Sequence, residues 1–203
     1  MATHPKIRSG VTLEEFLRWP DADEQPYKEF IDGKIEVKVS PQKKHNVLEL
    51  GLCQALNQFA TPGRLGLAFP ELRCTFEGRS IIPDVVFLVE AHIACDDRGE
   101  YVDETPLPPD IQVEIISPDQ SETRSKQKLV HSTAHGCRLG WLIHPYRRTI
   151  DVYRPGVPPE RLASDGFLDG VPVLPGFRLA VSEVFGWLRH REPTPNDPGA
   201  GPA

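Results

Sequence analysis

Residues 81–89 read Ile-Ile-Pro-Asp-Val-Val-Phe-Leu-Val, and residues 111–118 read Ile-Gln-Val-Glu-Ile-Ile-Ser-Pro. Each is a nearly unbroken apolar run of strand length, which predicts a β-strand buried on both faces. Each also carries a carboxylate, Asp84 in the first and Glu114 in the second. A charge inside a buried strand is costly unless it is paired or holds a metal. A buried ion pair accounts for one such group. Two of them, each alone in its strand, point to a shared hard cation such as Mg²⁺ or Mn²⁺.

Outward from these runs, the pattern alternates between strands and helices. Upstream, Leu72 to Phe76 reads as a strand. Before it, apolar residues between Gln42 and Ala60 fall at helical spacing and stop at Pro62-Gly63. Lys34 to Val39 alternates Ile35, Val37 and Val39 inward with Lys34, Glu36 and Lys38 outward, and Asp32-Gly33 marks the turn before it. Thr12 and Glu15 have capping-box spacing at the start of a short helix. Downstream, Ser117-Pro118 ends the second run, and Asp119 with Glu122 opens a helix that reaches Gly136. Leu139 to His144 and Thr149 to Tyr153 form a hairpin, and a strand around Val173 to Leu179 leads to a closing helix over residues 182–188. Residues 91–109 are polar and Pro-rich, a long loop. The order predicts one α/β or α+β domain, a sheet flanked by helices, over residues 11–190. Residues 1–10 and 191–203 are expected to be disordered tails.

Composition narrows the function classes. No apolar run approaches the roughly 20 residues of a membrane span, and the N-terminus lacks a signal-peptide core, so a cytoplasmic protein without a membrane partner is expected. Cys53, Cys74, Cys95 and Cys137 show no C-x-x-C pairing and are read as buried, reduced thiols. The net charge of −6 weighs against broad electrostatic grip on nucleic acid, although a metal-dependent phosphodiesterase needs carboxylates. Lys34, Lys38, Lys43, Lys44, Arg124, Lys126, Lys128, Arg147 and Arg148 are available for a concave positive face or for ordinary solvated surface. His131 and His135 lie four apart on one helix but lack the glutamate of an H-E-x-x-H site, so a surface pair is favoured over a metal pair.

The ordered series of motifs resembles the Uma2 family (DUF820) of the PD-(D/E)xK restriction-endonuclease-like group. The likeness covers residues 11–188. It is carried by Tyr27-Lys-Glu-Phe-Ile-Asp-Gly-Lys-Ile, Ser40-Pro41 with His45, Pro83-Asp84, Pro109-Asp-Ile-Gln-Val-Glu-Ile-Ile-Ser-Pro, the run from Gly136 to Tyr153, and Leu174-Pro-Gly-Phe. It implies a restriction-endonuclease-like mixed sheet flanked by helices, with an additional C-terminal hairpin and helix. It also implies a metal-dependent endonuclease acting on phosphodiesters, most readily DNA; separately, the apolar strands and the hairpin are expected to make a homodimer. Asp84 and Glu114 would ligate Mg²⁺ or Mn²⁺ with help from the Ile115 carbonyl. Glu29, on the first helical segment, would complete the acidic cluster, with His45 and Ser117 as accessories.

The chain departs from the family's pattern at several points. Ile116 stands where D/E-x-K spacing puts the lysine. The family places that lysine on the following helix, and the gap-free register through Gly136 and Trp141 assigns it to Lys128. On a helical wheel, however, the stripe Leu129, Val130, Thr133, Ala134 and Cys137 includes Lys126 and turns Lys128 away, so Lys126 is held in reserve. Arg124, Ser132 and His144 replace polar family residues, removing support from this helix. The rival to an enzyme is a binding module that keeps the fold without the chemistry.

Overall fold

The computed structural model describes residues 8–38, 41–118 and 121–190. Most of both expected tails, together with Val39, Ser40 and Asp119, lies outside the described residues. The elements run β1 (Arg8–Ser9), α1 (Leu13–Leu17), β2 (Lys28–Ile31), β3 (Lys34–Val37), α2 (Lys43–Ala60), β4 (Gly66–Pro70), β5 (Cys74–Phe76), β6 (Arg79–Ile81), β7 (Val85–Val89), β8 (Ile111–Ile115), α3 (Glu122–Ala134), β9 (Leu139–His144), β10 (Thr149–Tyr153), β11 (Glu160–Leu162), β12 (Phe167–Gly170), β13 (Leu174–Ala180) and α4 (Val181–Gly186).

The larger sheet has the order β11-β10-β9-β8-β7-β4 and is antiparallel except between β8 and β9. That pair is parallel because α3 carries the chain back across the sheet, a reversal no short turn can make. The alternation of side chains then sorts the sheet into two unlike faces. Val85, Phe87, Ile111, Val113, Ile115, Leu139, Trp141 and Ile143 join the main core with α2, β13 and α4. The opposite face carries Gln112 and Glu114. On that side Val86 and Leu88 pack on Cys74, Phe76 and Ile81, while Leu142 and Tyr153 pack on Leu129 of α3. The run from Ile111 is therefore buried on both faces, but only one is apolar.

The second sheet has the order β1-β3-β2-β6-β5, and Arg8 and Ser9, read as tail, pair with Ile35 and Lys34 at its edge. The run 81–89 is two strands rather than the expected one. Pro83 has no N–H to give a ladder, so the chain leaves the small sheet at Ile81 and enters the large one at Val85. Asp84 sits at that seam, its N–H donating to the Val113 carbonyl at 3.1 Å.

Other expectations divide similarly. The Thr12 capping box forms, and the β9–β10 hairpin pairs Thr149 with His144. No strand is expected from the sequence at β4, β11 or β12; β4 and β11 are short edge strands of the large sheet, and β12 pairs with β13. Residues 91–109 form a loop with one bridge, Cys95 to Tyr101. Cys95 is exposed, contrary to expectation, whereas Cys53, Cys74 and Cys137 are buried, and all four thiols are free. No helix among the described residues is long and apolar enough to cross a membrane.

Candidate active site

The seam between the two sheets collects side chains from β2, α2, β8 and α3, together with Lys38 just past β3 and Asp84 just before β7. Asp84 and Glu114 are both 0 % exposed. Asp84 Oδ2 accepts the Ile115 N–H at 2.6 Å and lies 3.1 Å from His45 Nε2, on the first turn of α2. Its Oδ1 lies 2.9 Å from Lys38 Nζ. Glu114 Oε1 accepts Gln112 Nε2 at 2.9 Å, and its Oε2 lies 2.8 Å from Lys128 Nζ. Lys128 also donates to Glu29 Oε1 at 2.9 Å, and the same oxygen accepts the Ile82 N–H at 2.7 Å. Through its bond to the Ile115 N–H, Asp84 is tied to the residue that follows Glu114 in β8.

Glu29 belongs to β2, not to a helix as expected. The sheet's pleat aims it at Ile82, where the neighbouring chain breaks at Pro83. Lys128 is 3 % exposed. The apolar stripe misplaces it because the buried face of α3 is Ser125, Lys128, Leu129 and Ser132, at spacings i, i+3, i+4 and i+7, and most of that face is polar. Val130, assigned to the stripe, is 57 % exposed. Lys126 stays at the surface, 2.7 Å from Glu122. Ser117 is buried two residues past β8. Arg124 pairs with Glu36 at 3.3 Å and His144 with Asp151 at 3.2 Å.

Lys38, expected on the outward face of its strand, and Gln112 complete the cluster. Lys38 follows the last residue of β3, so the alternation that would turn it outward no longer applies, and it points inward to Asp84 and to Glu71 at 3.2 Å. Gln112 was legible in principle, standing two residues before Glu114 on the same face.

Burial opposes every charge here, and the neighbours decide which survive. Burial pushes Glu114 up to about 7, only partly countered by Lys128, while Asp84 and Glu29 push it further up. Burial would also raise Asp84, but Lys38 and His45 outweigh it and hold that carboxyl well below its usual range. For Lys38 and Lys128, burial is overcome by Asp84 and by Glu114 with Glu29, respectively, so both ammonium groups hold their protons. His45 is likewise pushed up to about 9, its burial outweighed by Asp84 and Glu49, and is a cation at neutral pH.

Asp84 Oδ1 and Glu114 Oε2 are buried, and an ammonium group meets each of them, Lys38 at 2.9 Å and Lys128 at 2.8 Å. Two hard oxygen donors of this kind suit Mg²⁺ or Mn²⁺, which bind one or two carboxylates and complete their shell with water and phosphate oxygens. No tighter cage of three or more His, Cys, Asp or Glu side chains occurs among the described residues.

His131 and His135 stand apart from this cluster, with ring centroids 4.3 Å apart and His131 tilted on Phe76. Burial, with Arg79 and His135 nearby, lowers His131 to about 4. Its folded value lies below the ordinary 6.5, so its contribution is complete above about pH 6.5 and is lost as pH falls towards 4. Urea midpoints at pH 7 and pH 4.5 test this, with His131→Gln expected to lose less stability between them than the parent. An equal loss removes His131 as the cause.

The chain matches the model of the Uma2 family, described as "Putative restriction endonuclease", over residues 13–182. Among solved structures it is similar to the crystal structure of "a putative nuclease belonging to DUF820" from Anabaena variabilis ATCC 29413. The two share 35 % identity over 89 % of this chain and 100 % of that one, with a TM-score of 0.84. No curated protein matches it.

Proposed function

The chain belongs to the Uma2 family and has a restriction-endonuclease-like α+β fold, and from that premise we propose that it is a divalent-metal-dependent endonuclease hydrolysing phosphodiester bonds in DNA. The observation that carries this reading is Lys128, a buried ammonium bridging Glu29 and Glu114 in the same cluster as Asp84. A lysine is kept in such surroundings at a large desolvation cost, which a purely structural role would not require.

Asp84 Oδ1 and Glu114 Oε2 would hold Mg²⁺ or Mn²⁺, with the Ile115 carbonyl as a further candidate. When bound, the ion would polarise the phosphate and lower the pKa of its water. The chain's own groups do the rest. Lys128 keeps its proton, so it acts as a fixed positive charge facing the transition state and not as a base. Gln112 fixes the Glu114 carboxylate, and His45 with the Ile115 N–H fixes Asp84.

Cleavage of both strands of a duplex needs two such centres, which the homodimer expected from the sequence would provide. The β9–β10 hairpin is not a candidate for its interface, since β9 is buried along its length within the monomer. A soluble, cytoplasmic setting accords with this reading. A second reading, a module that binds without cutting, draws on one observation: both central carboxylates already have an ammonium partner.

Incubating the full chain with supercoiled plasmid distinguishes the two. Nicking or linearisation is expected with Mn²⁺ or Mg²⁺ and none in EDTA. Equal cleavage in EDTA removes the metal from the proposal, and intact plasmid in every ion favours the binding module.

A further inference from the structure

Most cations of this acidic chain are already paired: Arg73 with Asp23, Arg79 with Asp32, Arg138 with Asp110 and Arg161 with Asp151. The basic residues read from the sequence as a positive face divide accordingly. Lys38, Arg124, Lys126, Lys128 and Arg147 are bound to carboxylates. Among the described residues, Lys43, Lys44 and Arg189 form no ion pair, and all three line one groove of about 520 Å³. That volume is typical of ligand clefts. Its floor is apolar, made by Val47, Trp187 and Leu188.

Two local features break ordinary helix rules at this groove. Lys43 and Lys44 open α2, an 18-residue helix with no acidic residue in its first turn and no side-chain cap from Gln42. Cations at that end oppose the helix dipole, which favours anions there. Gly51 lies inside the same helix, where glycine is destabilising. A Cβ at Gly51 would stand 2.4 Å from the Trp187 ring, so the glycine is what lets the indole lie flat on α2. Sequences depart from local rules chiefly where function demands it. Trp187 itself accounts for Gly51, and an anion over the first turn would satisfy the departure at Lys43 and Lys44.

Resting on the nuclease reading above, we propose that this groove seats a single-stranded stretch of nucleic acid. Lys43, Lys44 and Arg189 lie against its phosphates and Trp187 lies under a base. Stacking on an aromatic floor with cations tracking the backbone is how single strands are held without sequence preference.

The test uses the full chain in EDTA and a fluorescein-labelled oligo-dT strand, with anisotropy read across a salt series. Lys43→Ala/Lys44→Ala/Arg189→Ala is expected to weaken binding at least about tenfold and to flatten the log–log salt slope by about 2, the counterion release of three contacts on a single strand. Trp187→Leu is expected to weaken binding about tenfold without changing the slope, as loss of one stacked base would. Lys34→Ala, an exposed lysine elsewhere, changes neither, and unchanged melting temperatures show that the variants are folded. Parent-like affinity and slope in the triple variant overturn the groove, as does a duplex that competes as well as the strand, or no binding by the parent. Plasmid cleavage is scored separately: groove-dependent binding without cleavage removes the nuclease reading and leaves the groove, while cleavage with groove-independent binding does the reverse.

Discussion

Asp84→Asn is expected to lower plasmid cleavage by about 10³-fold or more, the scale on which loss of a preorganised charge acts. The substitution keeps the shape. An amide oxygen still accepts the Ile115 N–H that Asp84 accepts at 2.6 Å. What goes is the negative charge, and with it the oxygen facing Lys38 at 2.9 Å, now replaced by an N–H₂ that points a donor at an ammonium. Two buried cations, Lys38 and His45, lose their counter-charge. Breaking a buried pair from one side costs about 3–5 kcal/mol, so an inactive Asp84→Asn protein needs a stability control. Asp84→Asn/Lys38→Met provides it by removing the stranded ammonium as well. The double variant should regain most of the lost urea stability and none of the cleavage. Recovery of cleavage in that double variant would show that Asp84 serves only to neutralise Lys38, and the catalytic assignment would be abandoned.

How far the site could be read from the chain depends on how each residue betrays its surroundings. Asp84 and Glu114 are legible because a carboxylate in an apolar strand violates the pattern of its own neighbours. Lys128 is legible only through its register to Gly136, since periodicity assumes that a buried face is apolar, and the buried face of α3 looks onto charges. Lys38 is invisible to alternation because β3 ends at Val37 and the rule ends with it. Gln112 carries no charge to draw notice, although its face is fixed by that of Glu114. In the fold, the long elements α2, α3 and β8 through β10 follow from their own residues. The break at Pro83 and the short strands β4, β11 and β12 depend on partners distant in the chain, which a local pattern does not encode.

Lys128→Met tests the other half of the cluster, and its signature is a separation of stability from activity. Lys128 Nζ lies 2.9 Å from Glu29 and 2.8 Å from Glu114, and the methionine leaves both carboxylates buried without a cation. The expected loss is about 3–5 kcal/mol, against a total of roughly 5–15 kcal/mol for a folded domain. At about 2–4 °C per kcal/mol for a chain of this size, the melting temperature should fall by about 6–20 °C. Glu114, already pushed up to about 7, takes up a proton more readily once the ammonium is gone, which draws the loss towards the lower end. Lys128→Met/Glu114→Gln removes one of the stranded charges and should recover a large part of that stability. Cleavage should stay at least about 10²-fold below the parent in both variants, because neither holds a positive charge facing the transition state. Lys128→Arg keeps the charge but brings a larger, planar head against the buried Glu29 and Glu114, and is not expected to restore the rate. A Lys128→Met protein that is destabilised yet cuts plasmid at the parent's rate would make Lys128 a neutralising strut, and the electrostatic role would then have to be found elsewhere in the cluster.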